Sequence, residues 1–166
     1  MSTQARAERA GAVVQDWVAS TMGWEPGQAD VYPVPDLSTP RFDLVAIVQA
    51  GTRSGGELYV MTDGERILPA GAGNLGAVLA EEGMAGNPEA LPAELVAGLF
   101  LRMAQPGRGW PVLAGDDRTA PPRVERDGDG VRATFSSERA PGGPLERWSV
   151  RLAPGGELTQ SVEPAG

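Results

Sequence analysis

The order of the hydrophobic runs constrains this chain more than any other feature. One helical pattern comes first, then a group of strand patterns, then two helical patterns, then a second group of strands. A parallel sheet needs strand and helix to alternate, and here they come in blocks. The expectation is an α+β fold, an antiparallel sheet in one or two meanders packed by about three helices.

Periodicity and punctuation define the blocks. Ala10, Val13, Val14, Trp17 and Val18 recur at three- and four-residue spacing, opposite Gln15, Asp16 and Ser20. Ser2 or Thr3 is placed to cap this helix and Gly23 to stop it, so residues 1–22 read as an N-terminal helix. Residues 23–41 hold Pro26, Pro33, Pro35 and Pro40 and read as a Pro-rich crossing without regular structure. Residues 42–69 read as a strand meander: Phe42 to Gln49, then Glu57 to Thr62, the Asp63-Gly64 hairpin signal and a return from Arg66 to Leu68.

Residues 74–104 hold two helices, Asn74 to Glu82 and a stronger one from Leu91 to Met103. In the second, Leu91, Leu95, Leu99 and Met103 fall four apart. Residues 123–163 read as a C-terminal strand meander, with strands around Val124, Val131 to Phe135, Arg147 to Leu152 and Leu158 to Val162. The 166 residues suit a single α+β domain, long enough to bury a core without cross-links.

Composition narrows the chemistry. The chain has no Cys, His or Lys; all fourteen basic residues are arginine. Only two Ile and two Asn stand against 23 Gly and 15 Pro, the bias expected of a GC-rich bacterial genome. Without His there is no imidazole base or Ser-His-Asp triad. Without Cys there is no thiol nucleophile or zinc finger, and without Lys no Schiff base or Walker-type P-loop. Catalysis would have to run on carboxylates, hydroxyls, Tyr and Arg, so no catalytic residue, cofactor or metal ligand is assigned.

Charge and hydropathy bear on partners. A net charge of −8 disfavours non-specific nucleic-acid binding and suits a basic protein partner. Residues 106–166 are nearly balanced, with eight arginines against nine acids. The N-terminus has no signal-peptide core, and the longest apolar run, Leu44 to Val48, is far below the roughly 20 residues that span a bilayer. The expectation is a cytoplasmic protein without a membrane partner, with self-association left open.

Two motifs have bland explanations. Gly71, Gly73 and Gly76 match G-x-G-x-x-G, but Pro69 breaks the preceding strand and no second parallel strand follows. Asp127, Asp129 and Glu138 match three calcium-loop positions, but Arg132 replaces the required glycine and the flanks read as strands. The paired acids Glu81-Glu82 and Asp116-Asp117 show no surrounding apolar pocket that would raise a pKa toward acid catalysis.

Candidate binding residues fall in two groups. Trp24, Tyr32 and Trp110 lie in Pro/Gly-rich segments beside Glu25, Asp30, Asp116 and Asp117. Tryptophan is a frequent binding hot spot, so these seven residues are the expected partner surface of a non-catalytic accessory, adaptor or immunity-type module. Trp17 and Trp148 read as core. The second group is Arg132, Arg147 and Arg151, which two-residue alternation places on the outward face of the C-terminal strands. Guanidinium groups there suit an anionic small molecule, the alternative function. A solvated face paired with Glu125, Glu138 and Glu146 is the plainer explanation. A carboxylate- or metal-dependent enzyme is the third reading.

Overall fold

A computed structural model describes residues 1–51, 57–115 and 118–165. The chain has an α+β fold, and its described residues form three α-helices and two antiparallel sheets, of four and five strands. It divides into two compact units, Met1–Ala70 and Gly71–Gly166.

The first unit begins with α1, Thr3–Trp17, capped by the Ser2 hydroxyl, which accepts from the Ala5 amide at 3.1 Å. A π-helical turn, Val18–Met22, continues it to Gly23, whose φ of 69° closes the helix. The sheet follows as a meander: β1 Ala29–Pro33, β2 Asp43–Gln49, β3 Glu57–Thr62 and β4 Ile67–Pro69, paired in that order. Ala10, Val14 and Val18 pack with Ala29, Val45, Ile47 and Val60, sealed by partly buried Trp17 and Trp24. Arg6 ties the helix to the sheet through Asp43 (3.0 Å) and the Thr39 carbonyl (2.6 Å).

The turn between β3 and β4 has the expected hairpin chemistry. Asp63 Oδ1 accepts from the amides of Glu65 and Arg66 at 3.0 and 2.8 Å. Partial burial pulls the Asp63 carboxyl up, but these amides and the Arg66 guanidinium outweigh it and hold the pKa at about 2.

One expectation is corrected: residues 23–41 are not free of regular structure, because they contain β1 and a short 3₁₀ turn at Pro35–Leu37. A proline lacks a donor, yet β1 is an edge strand and Pro33 is its last residue, where a missing ladder bond costs least.

The second unit holds α2 Ala72–Glu81 and α3 Ala93–Met103, then β5 Trp110–Pro111, β6 Arg123–Asp127, β7 Gly130–Glu138, β8 Leu145–Leu152 and β9 Leu158–Ala165. The sheet order is β5-β7-β8-β9, with β6 also on β7. Strand β5 is absent from the sequence expectation, and β8 and β9 are longer than expected. Every residue of α3 from Val96 to Met103 is buried. Phe100, Phe135 and Trp148 form the centre of this core, with Phe100 edge-on to Trp148 at 5.3 Å.

Packing accounts for one glycine of the G-x-G-x-x-G match, while a Cβ at Gly71 or Gly73 would meet nothing. A Cβ at Gly76 would overlap the Gly156 carbonyl, so this residue lets α2 approach the β8–β9 turn closely. A void of about 20 Å³ among Leu79, Val96, Val131 and Val150 is about one water in size, so it offers no room for a ligand.

Candidate functional site

The second unit builds an aromatic platform at its surface. Arg102 lies in the last turn of α3, where a cation is favoured by the helix dipole. Its Nη1 donates to the Gly109 carbonyl at 2.9 Å, and its guanidinium carbon stands 3.4 Å from the centre of the Trp110 ring. Burial is inverted across this stack: Arg102 is 6% exposed and Trp110 is 60% exposed. Leu113, three residues on, is also exposed.

The backbone makes this placement possible at Gly109. Its φ is 93° and a Cβ there would overlap the Glu138 carbonyl, so only glycine lets the chain pass and set Trp110 opposite Glu138. The signal was present in the sequence. Arg102 sits three residues after Leu99, inside the helical register of the apolar stripe rather than across from it.

The remaining expected contact residues lie in the first unit or outside the described residues. Trp24 is half-buried against the α1 core, and Glu25 is exposed, its amide donating to Gln28 Oε1 at 2.6 Å. Asp30 and exposed Tyr32 share one face of the edge strand β1. Register carries that face across the sheet: Tyr32 pairs with Ala46 and Ala46 with Tyr59, while Asp30 pairs with Val48 and Val48 with Glu57. Two tyrosines and two acids therefore sit together, and the Tyr59 hydroxyl donates to Glu57. Partial burial, then the charges of Glu57 and Asp30, push the Tyr32 phenol above its ordinary pKa. Sequence reasoning missed Glu57 and Tyr59, because only strand register brings them to Tyr32. Asp116 and Asp117 lie outside the described residues.

The three predicted arginines do share the outward face of the second sheet, but not one environment. Arg132 and Arg151 are direct cross-strand partners. Both bind Asp127: Arg132 at 2.8 Å and Arg151 at 3.2 Å, and Arg151 also reaches Asp129 at 2.7 Å. Asp129 first, and Asp127 after it, raise the Arg151 pKa. The calcium-loop match is thereby accounted for, since two of its acids serve arginines and Glu138 stands at the far end of β7.

Arg147 is different, with one long contact to Glu163 at 3.4 Å. Among the described residues no group of three or more Asp or Glu is placed to hold a metal ion, and no helix is long and apolar enough to cross a membrane. Compared with known proteins, the chain matches no family model, no curated protein and no solved structure.

Proposed function

We propose that this protein is a non-catalytic protein-binding module of the accessory, adaptor or immunity type, acting in the cytoplasm, with Trp110 as its anchor. The observation that carries the reading is the Arg102–Trp110 stack. A large ring held on one face by a buried, backbone-anchored guanidinium and open on the other loses little freedom when a partner covers it. Rigid exposed aromatics of this kind supply much of the energy at protein interfaces. The Asp30, Tyr32, Glu57 and Tyr59 face offers a second aromatic surface with negative charge, which suits a basic partner, as does the net charge of −8.

The test is site-specific crosslinking in the source cells. A photoreactive residue in place of exposed Leu113 is expected to capture one protein in a stoichiometric adduct. That adduct should vanish in a Trp110→Ala background, and the purified pair should lose about 2 kcal/mol or more, roughly thirtyfold in Kd. The same adduct from a photoreactive residue at Gln160 on β9, or its survival without Trp110, overturns the reading.

A further inference from the structure

On the outward face of the second sheet a row of three short hydroxyl side chains lies between arginines. Thr134, Ser149 and Ser161 are consecutive cross-strand partners on β7, β8 and β9. On one flank Arg132 pairs with Arg151 and Arg151 with Thr159; on the other Ser136 pairs with Arg147 and Arg147 with Glu163. Short residues between Arg151 on one side and Arg147 and Glu163 on the other leave a trough. The trough is a hollow of about 200 Å³, lined by Thr134, Ser149 and Ser161 with Arg147 and Glu163 along one side. That is below the roughly 300–1,000 Å³ of sites for drug-sized ligands, so its occupant is small.

The lining offers several groups able to donate a hydrogen bond. Ser149 Oγ already accepts from Arg132 Nη1 at 2.6 Å, which leaves its own proton to be donated elsewhere. Thr134 and Ser161 each bring a hydroxyl donor, and Arg147 brings a guanidinium fork. The one fixed acceptor is the Glu163 carboxylate, 3.4 Å from Arg147, with both side chains more than half exposed. An ion pair so long and so wet is worth little, so an incoming anion displaces it at small cost.

We propose that this hollow binds a small oxyanion, the phosphate or carboxylate group of a small molecule. Arg147 pairs with its charge, and Ser149 and Ser161, about 4.8 Å apart across neighbouring strands, donate to its oxygens. Thr134, one strand further, reaches a second acceptor on the same ligand. Arg132 positions Ser149 through its Nη1 and does not itself line the hollow. The site is separate from Trp110 and stands whether or not the protein-binding reading does.

Amide NMR titration with inorganic phosphate and, separately, acetate at matched ionic strength tests the proposal. Saturable shifts confined to residues near 134, 147–149 and 161–163 are expected with at least one of the two, and the tighter ion names the ligand class. Arg147→Gln should weaken that binding about tenfold or more. Glu163→Gln should tighten it about two- to fivefold by removing the competing carboxylate. Arg151→Gln, an equal loss of charge outside the hollow, should change it less than about twofold. Absence of saturable shifts with both ions overturns the site. So does equal weakening by Arg147→Gln and Arg151→Gln, which would indicate diffuse attraction, and so does weaker binding in Glu163→Gln.

Discussion

Two tryptophans of the second unit each meet an arginine, with burial reversed. Trp148 is fully buried, its Nε1 donates to Ser137 Oγ at 2.9 Å, and the half-buried Arg108 lies 5.6 Å from its ring and 3.0 Å from Glu146. At Trp110 the arginine is the buried member and the ring is the exposed one. The same pair of residue types therefore does opposite work. Where the ring is inside, its apolar area stabilises the core and the cation seals the rim. Where the cation is inside, the ring is held in place but most of its area still faces water, available to a second molecule.

The contrast breaks most readily at Trp148. Trp148→Ala removes the ring that touches both Phe100 and Phe135, and is expected to cost about 3–5 kcal/mol. Denaturant midpoints at unchanged m-value measure it. A loss under about 1 kcal/mol would mean that the core does not centre on this residue.

Ser137→Ala sharpens the same point by touching only the polar end of the ring. It leaves a buried indole N–H without its acceptor, for an expected loss of about 1–3 kcal/mol. Combining it with Trp148→Phe, which has no such donor, should cost less than the two single changes added together. Strict additivity would remove the hydrogen bond from the account.

Much of this arrangement is legible in the amino-acid sequence. The blocks of hydrophobic pattern gave the α+β class, and two-residue alternation put Trp148, Val150 and Leu152 inward and Arg147, Ser149 and Arg151 outward, as their burial bears out. Strand β1 was hidden by Pro33 and the prolines around it, because edge position, which makes Pro33 harmless, is a property of the whole sheet. Alternation also could not separate Arg147 from Arg132 and Arg151. All three point the same way, and only cross-strand register decides that Asp127 is shared by two of them while Arg147 faces Glu163. Trp110 illustrates a third limit. Its Pro/Gly-rich segment was readable, but strand β5 was not, and the guanidinium that backs the ring comes from another element, eight residues earlier in the sequence.

Arg102→Leu tests whether the buried cation is what holds the exposed ring. Loss of the stack and of the bond to the Gly109 carbonyl is expected to cost about 1–2 kcal/mol. Trp110 fluorescence anisotropy, read in a background with the other three tryptophans changed to Phe, should fall as the ring loosens. Unchanged anisotropy would mean that the ring is held by something other than Arg102.

The smallest expected effect is the most informative for function. Trp110→Ala deletes one of the largest side chains in the protein, yet the residue is 60% exposed, so less than half of its area leaves water on folding. The loss is the cation–π contact and the modest area against Arg102, and stability should fall by less than about 1 kcal/mol. A tryptophan whose removal barely moves the melting curve is not retained by the fold's own energetics, which separates it from Trp148. Thermal melts of Trp110→Ala and Trp148→Ala side by side make the comparison directly. A drop at Trp110 approaching that at Trp148 would make it a core residue, and the anchor assigned to it would lose its basis.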